Sequence, residues 1–256
     1  MAGADDGLWS VENGNKQLAI HMAKDSKANV LLNATVSSIV NLMNDSYAIR
    51  TSGSTDDLKV YDIVVIANPL EVSQISFENF SSVPYDVKVK RYHRTVATIV
   101  AGILNENFTM SQIGVDSLFN CDRNNFFTSI GRIFPAKDSD SPDSDTNIPS
   151  SYPVYKIFSP KPLSKTQLEI VFSKINQIHV SDWFAYPEYE QIPEVMPPFI
   201  LKENLYYVNS IEWAASAIEM SLISAKNIAN LIHQQLRWGE RFQGTKDLPV
   251  LDRTEL

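Results

Sequence analysis

The residues best suited to chemistry lie near the C-terminus, between positions 209 and 221. They read N-S-I-E-W-A-A-S-A-I-E-M-S and follow a short β-prone run at 205–208. The pattern predicts a tight turn and then a long helix that begins near Ile211 and has small residues along at least one face. A face this small admits another backbone or a flat ligand, and the N–H groups of a helix N-terminus attract phosphate or carbonyl oxygens. A buried helix packed tightly on a sheet fits the same pattern.

A second candidate is the aromatic segment W-F-A-Y-P-E-Y at 183–189. Its rings offer π-faces and apolar area, which suit a flat ring or an apolar chain. An ordinary aromatic core cluster fits these residues equally well. Pro193, Pro197 and Pro198 then stiffen the connection that follows.

Other catalytic patterns are missing from the sequence. It has no nucleophile–base triad, no recognisable pair of catalytic carboxylates and no G-x-G-x-x-G phosphate loop. Its four histidines show no metal-ligand spacing, and the single cysteine, Cys121, excludes an internal disulfide and a thiolate zinc site. The expected metal content is therefore none.

The elements that position these residues begin with a turn at 7–9 and a helix whose face carries Leu18, Ile20 and Met22. A β-rich stretch at 29–40 and a return strand at 47–50 follow. The uninterrupted I-V-V-I run at 63–66 then predicts a strand buried on both faces, as in a parallel α/β sheet.

The central part of the chain, 70–200, reads as a different, insert-like domain. Strands are predicted at 95–104, 125–130 and 154–158, and the acidic, proline-bearing run 137–151 predicts a surface loop. Ser164 is expected to cap a short helix over 165–174.

Net charge and hydropathy limit the classes of partner that the protein can have. The formal net charge of −8 over 256 residues argues against a nucleic-acid partner, because phosphates need a basic surface. No apolar run reaches the roughly 20 residues of a membrane span, and the acidic first six residues lack a signal-peptide core. Four Asn-x-Ser/Thr sequons are candidate glycosylation sites and weakly favour a lumenal protein: Asn33, Asn44, Asn79 and Asn107.

The run at 209–221 resembles the flavin-contacting segment of prenylcysteine oxidases, also called farnesylcysteine lyases. These are FAD-dependent thioether oxidases distantly similar to amine oxidases and protoporphyrinogen oxidase. The 183–189 segment is similar to the one that precedes the last flavin-binding strand in related oxidases. The order of the FAD-domain motifs also matches, through Gly14 with Leu18, Val36 with Ile39, and Asp62, Val64, Val65, Ala67 and Pro69. Two positions depart from the pattern, since Asn13 and Ser210 stand where the family has glycine.

The resemblance implies a mixed α/β and α+β fold, in which part of a Rossmann-like FAD-binding domain interlocks with a β-sheet substrate domain of amine-oxidase type. The expected division is 1–69 for the FAD domain, 70–200 for the prenylcysteine domain, 201–236 for a returning strand and helix, and 237–256 for a tail. It also implies that Val36 holds the adenine edge through its backbone. The implied substrate-pocket residues are Trp183, Tyr186 and Tyr189, and the implied FAD-contacting residues are Gly14, Val36, Ser210, Ile211, Glu212, Ala214, Ala215, Ser216, Ile218 and Glu219.

The implied reaction removes a hydride from the carbon beside the thioether sulfur of farnesyl- or geranylgeranylcysteine. With water and molecular oxygen it yields cysteine, a prenyl aldehyde and hydrogen peroxide, in a lysosome or vacuole lumen. Because the cofactor carries this chemistry, no catalytic side chain is assigned. Since the phosphate loop is missing, we expect the sequence to be the C-terminal portion of such an enzyme. The alternatives are another flavoprotein oxidase, acting on amines or porphyrinogens, and a non-catalytic remnant.

Overall fold

The computed structural model describes residues 11, 14–52, 58–82, 91–122, 124–134, 152–189 and 196–243, with side chains as far as 237 in the last helix. The helices of this part are α1 (Lys16–Asp25), α2 (Thr109–Ile113), α3 (Lys165–Val171) and α4 (Ile218–Gln243), and a 3₁₀ helix spans Val208–Trp213. The strands are β1 (Val36–Asn41), β2 (Tyr47–Thr51), β3 (Lys59–Tyr61), β4 (Val64–Ile66), β5 (Ser76–Glu78), β6 (Tyr92–Leu104), β7 (Ser117–Phe119), β8 (Ser129–Ile133), β9 (Val154–Ser159), β10 (Phe172–Pro187), β11 (Ile200–Lys202) and β12 (Leu205–Tyr207).

The chain divides into two compact units. The first contains residues 1–33 and 94–184, and the second contains 34–93 and 185–256. Strands β6 and β10 each carry the chain from one unit into the other. The expected cofactor and substrate domains, with boundaries at 69, 200 and 236, are defined by function and stay a prediction.

The first unit is built on a five-stranded sheet with the order β10-β6-β9-β8-β7. Aromatic and branched side chains from this sheet and from α2 and α3 form one buried cluster, which includes Val100, Ile130 and Phe172. The helix α3 begins in a capping box, where the Ser164 hydroxyl accepts from the Gln167 N–H and the Gln167 side chain accepts from the Ser164 N–H. The predicted cap is therefore confirmed, but the helix ends at Val171 because Phe172 already begins β10.

The second unit contains a four-stranded sheet, β3-β2-β1-β5, and a three-stranded sheet, β11-β12-β4. Tyr47 and Ile39 of the first sheet share a buried cluster with Ile66 and Tyr207 of the second. The predicted return strand at 47–50 is confirmed as β2, which pairs antiparallel with β1. The predicted parallel pairing is confirmed too, because β4 lies parallel to β12 with Ile66 opposite Tyr207.

Several predicted elements need correction. The β-rich stretch at 29–40 forms a strand only from Val36, and the strand predicted at 125–130 begins at Ser129. In the latter case Asn side chains bond to nearby backbone groups and stabilise turns, as when Asn125 Oδ1 accepts from the Phe126 N–H. The predicted turn at 7–9, Asn13, the loop at 137–151, Pro193 and the tail beyond 243 lie outside the described residues.

The sequence predicted that the strand at 63–66 is buried on both faces, and this prediction is wrong. Ile66 is buried, but the side chain of Val65 is 44% exposed. Side chains alternate between the two faces of a strand, and the buried cluster covers only the face that carries Val64 and Ile66. In the three-stranded sheet β4 is also an outer strand. An outer strand with an exposed apolar side chain favours further strand pairing.

The long helix predicted from Ile211 is interrupted. A 3₁₀ helix runs to Trp213, residues 214–217 form a loop, and α4 begins only at Ile218. The N–H groups of both Ala214 and Ala215 bond to the carbonyl of Ile211, which closes a tight turn instead of propagating an α-helix. The small residues at 214–217 therefore lie in a loop and not on a helix face.

Tyr47 should contribute to a loss of folding stability at alkaline pH. Its hydroxyl donates to the Glu203 carbonyl at 2.6 Å, and burial, followed by the charges of Asp45 and Glu203, raises its pKa from 10.0 to about 12. Between these two values the unfolded chain loses the proton that the folded chain keeps, so the folded state loses stability as the pH rises. Tyr47→Phe should reduce this slope by up to about 1.4 kcal/mol per pH unit, while it lowers stability at pH 8 by about 1 kcal/mol. Urea unfolding at pH 8 and pH 11 measures both effects, and an unchanged alkaline slope would contradict the assignment.

Candidate functional site

The predicted cofactor segment lies at the carboxyl edge of the parallel pair β4 and β12. Ile66 and Tyr207 end these strands side by side. The chain continues from β4 through Pro69 to Glu71, and from β12 into the 3₁₀ helix. In open α/β sheets the crevice outside the carboxyl ends of the strands is where ligands bind.

Glu71 joins the two segments that leave these strands. Its Oε1 accepts from Trp213 Nε1 at 2.8 Å, and its Oε2 accepts from the Tyr207 hydroxyl at 2.9 Å. The Tyr207 hydroxyl in turn accepts from the Leu70 N–H at 3.2 Å. Tyr207 and Trp213 are both buried, and burial, followed by the Glu71 charge, raises the pKa of Tyr207 far above its usual range.

A second carboxylate faces the same aromatic cluster. Glu212 Oε2 accepts from the Tyr92 hydroxyl at 2.7 Å, and the ring of Tyr92 meets the ring of Trp213 edge-on, with centroids 6.3 Å apart. Burial, followed by the hydrogen bond to Glu212, raises the pKa of Tyr92 far above 10.0. Both tyrosines therefore stay neutral donors at physiological pH, and each holds a glutamate in place.

Beyond Trp213 the loop at 214–217 is open to solvent. Ala214, Ser216 and Ala217 are exposed and Ala215 is half-buried. The first hydrogen bond of α4 runs from the Ser221 N–H to the Ala217 carbonyl at 3.0 Å, so the N–H groups of the helix's first turn have no carbonyl within the helix. The loop thus offers small side chains next to N–H groups that have no partner within the helix.

Two predicted pocket residues lie near this loop, and Tyr189 contacts it directly. The Tyr189 hydroxyl donates to the Glu212 carbonyl at 2.8 Å, and its pKa is raised by burial while a backbone hydrogen bond with Ser216 opposes the shift. Tyr186 stacks on Tyr189 with centroids 6.3 Å apart and 7° between the rings, and His93 stacks on Tyr186 at 5.0 Å. The structure therefore brings predicted pocket residues and predicted cofactor residues together.

The other predicted site residues lie outside this loop or have a side chain that is buried within the protein. Trp183 and Gly14 belong to the first unit, and half-buried Val36 begins β1. Ser210 is 3% exposed and its hydroxyl donates to the Pro197 carbonyl, so its side chain is occupied by the protein itself. Ser210 is not among the described residues with positive φ, and a serine therefore fits this backbone where the family has glycine.

Three residues of the candidate site were not predicted from the sequence: Glu71, Tyr92 and Tyr207. Tyr207 lies in the β-prone run before the segment, and Glu71 follows the predicted strand by five residues, but neither position carries a pattern that identifies a partner. Only the side-by-side ends of β4 and β12 bring Glu71 to Trp213, 142 residues further along the chain.

The remaining candidate positions are exposed. Asn33, Asn44, Asn79 and Asn107 all lie at the surface, and Asn33 and Asn79 adopt φ values of 57° and 60°, which place them in tight turns. Cys121 is a free, exposed thiol. In the part of the chain that the structure describes, no three His, Cys, Asp or Glu side chains are placed to hold a metal ion, and no helix is long and apolar enough to cross a membrane.

Comparison with known proteins identifies the class. The fold resembles a solved putrescine oxidase variant with redesigned cofactor binding, with a TM-score of 0.58, 13% identity, and coverage of 86% of this chain and 53% of that one. The chain therefore has a mixed α/β fold of the type found in that putrescine oxidase.

The sequence identifies the family within this class. The prenylcysteine lyase family model matches residues 1–244. A human prenylcysteine oxidase 1-like protein is 33% identical over 270 residues, covering 100% of this chain and 52% of the relative. The farnesylcysteine lyase of Arabidopsis thaliana is 35% identical over 237 residues, covering 91% of this chain and 43% of the relative. The chain belongs to the prenylcysteine lyase family, and it spans about half the length of these relatives.

Proposed function

We propose that this protein is an FAD-dependent thioether oxidase that cleaves farnesyl- or geranylgeranylcysteine into cysteine, a prenyl aldehyde and hydrogen peroxide. Family membership supports the substrate class, because the relatives are named prenylcysteine oxidase and farnesylcysteine lyase. The observation that carries the proposal is the contact of Tyr189 with Glu212 and Ser216, which joins the predicted pocket to the predicted cofactor segment.

The residues of the second unit fit a flavin. The loop at 214–217 has small side chains, and the first turn of α4 supplies N–H donors that suit the carbonyl oxygens of a flavin ring. FAD, when bound, would accept the hydride and pass its electrons to oxygen. Ile211, Glu212, Ala214, Ala215, Ser216, Ile218 and Glu219 would contact it on this side, Ser210 would contribute its backbone, and Gly14 and Val36 remain proposed contacts of its adenosine part.

The aromatic residues would bind the prenyl chain. Tyr186 and Tyr189 are each 39% exposed and Trp183 is 42% exposed, so each offers apolar area to a ligand. Tyr186 and Tyr189 would position the carbon beside the sulfur and exclude water until the hydride has left. No side chain needs to act as acid or base for that step, and none is assigned.

Domain roles and location belong to the same proposal. Residues 1–69 and 201–236 would serve the cofactor, residues 70–200 would serve the substrate, and 237–256 would form a tail. A lumenal compartment, lysosome or vacuole, would allow glycosylation at the four exposed sequons.

The function is tested on the native protein. An antibody raised against residues 152–189 should capture from the source cells a protein that releases hydrogen peroxide when farnesylcysteine is added. Benzylamine and protoporphyrinogen serve as matched controls and should give no peroxide above background. Peroxide from benzylamine with none from farnesylcysteine would reassign the protein to the amine oxidases.

The loop assignment predicts a selective loss of cofactor. Ser216 is exposed, so Ser216→Leu should change stability by less than about 1 kcal/mol, whereas its added methylenes would meet the flavin. In protein expressed from the complete coding sequence, the Kd for FAD should rise about tenfold or more, and Ala215→Leu should act in the same direction.

The control for this prediction is Ala229→Leu, an exposed alanine further along α4. It adds the same side chain away from the loop, and FAD content per protein should stay at the wild-type level. If both loop variants keep their full flavin absorbance after gel filtration, the loop does not contact the cofactor.

A further inference from the structure

The Glu71 carboxylate bridges two buried donors that belong to different parts of the second unit. Trp213 Nε1 donates to one of its oxygens at 2.8 Å, and the Tyr207 hydroxyl donates to the other at 2.9 Å. Trp213 is 3% exposed and Tyr207 is fully buried. Hydrogen bonds to an ionised carboxylate are roughly twice as strong as neutral ones, and two of them on one carboxylate also fix its orientation.

The two residues that Glu71 binds flank the segment that leads into the loop at 214–217. Tyr207 is the last residue of β12, and Trp213 is the last residue of the 3₁₀ helix that follows. Glu71 therefore holds both ends of the 3₁₀ helix, and the residue after Trp213 is the first of the loop at 214–217. A shift of the Trp213 indole would therefore move the backbone at the start of this loop.

The loop is also held on its other side. The Tyr189 hydroxyl bonds to the Glu212 carbonyl, and Tyr92 holds the Glu212 side chain. These contacts fix Glu212, and the bonds from the Ala214 and Ala215 N–H groups to the Ile211 carbonyl set the turn that follows Trp213. The bond from the Trp213 indole to Glu71 holds the side chain at the start of this turn.

We propose that Glu71 is a positioning residue, which orders the loop at 214–217 for contact with the flavin by holding Trp213 and Tyr207. The proposal deepens the proposed function and rests on it for the identity of the ligand. It assigns to Glu71 no contact with the substrate or the flavin.

The first readout is independent of the flavin. Backbone hydrogen exchange, followed by mass spectrometry in the protein expressed from its complete coding sequence, should show at least tenfold faster exchange in peptides covering 208–217 of Glu71→Ala. Peptides covering β8 and β9 (129–133 and 154–159), which belong to the first unit, should be unchanged and serve as the internal control. Trp213→Phe should have a similar effect, and in the Glu71→Ala background it should add less than twofold, because both variants remove the same bond.

The second readout separates positioning from mere stability. Glu71→Ala should raise the Kd for FAD about tenfold and shift the visible absorption bands of the bound flavin. Glu71→Gln keeps an acceptor for the Trp213 N–H, so it should restore both the exchange rates and the Kd to within threefold of the wild type. Rescue by a residue of equal shape is not expected if Glu71 only contributes charge.

The outcomes are distinct. Unchanged exchange over 208–217 in Glu71→Ala would overturn the inference, whatever the flavin does. Faster exchange with an unchanged FAD Kd and spectrum would also overturn it, because the bridge would then be purely structural. A wild-type protein that carries no flavin would overturn the proposed cofactor, and the exchange data alone would then decide whether Glu71 orders the loop.

Discussion

Gly102→Ala is expected to lower the stability of the first unit by about 3 kcal/mol, the upper end of the usual cost of overpacking. Gly102 lies in β6, and a Cβ at this position would stand 2.4 Å from the backbone oxygen of Lys174 in β10. Real Cβ atoms do not approach so closely, and a backbone oxygen in a sheet cannot swing away as the end of a side chain can. The two strands would have to separate locally.

The expected result is a Tm lower by about 6–12 °C, measured by circular dichroism. Gly131→Ala in β8 of the same sheet is the matched control, because there the new Cβ would meet the Ser117 hydroxyl at an ordinary 3.4 Å. That variant should melt within a few degrees of the wild type. Equal melting temperatures for the two variants would show that β6 and β10 are not packed this closely.

The second large effect concerns cofactor affinity. We expect the 256-residue polypeptide by itself to bind FAD no more than about threefold more tightly than riboflavin. None of its nine glycines are spaced as in G-x-G-x-x-G, the turn that holds the pyrophosphate against a helix N-terminus in this class of fold. Charge-assisted hydrogen bonds contribute about 1.5–3 kcal/mol each, so two or three absent bonds to the pyrophosphate cost about 4 kcal/mol or more, which is about a thousandfold in affinity. The donors near 214–220 would contact the flavin end, which FAD and riboflavin share.

Quenching of flavin fluorescence measures both dissociation constants under one set of conditions. A hundredfold preference for FAD would contradict the prediction and would show that other residues of this chain hold the pyrophosphate. Stoichiometric, tight binding with turnover of farnesylcysteine would contradict it more strongly. Adenosine diphosphate is the control competitor, and it should displace little FAD if the pyrophosphate is not recognised.

Local patterns were sufficient to predict several elements. The helix at 16–25, the paired strands β1 and β2, and the strands β6 and β9 follow from periodicity and β-propensity, which act between neighbours in sequence. The capping box at Ser164 is also local, because its two partners are three residues apart. The family could be predicted as well, since the run at 209–221 is contiguous and its order of residues is specific.

The tertiary structure alone decided how this run is folded. Its residues favour a continuous helix, yet Trp213 bonds to Glu71 and Tyr92 bonds to Glu212, and these distant partners hold a 3₁₀ turn and a loop before α4 begins. Likewise the I-V-V-I run indicates a buried strand, but the segments that pack on each face of β4 decide how much of Val65 is covered. Propensities describe the preference of a segment in isolation, whereas burial and long-range hydrogen bonds depend on which segments become neighbours, and a sequence pattern does not contain that information.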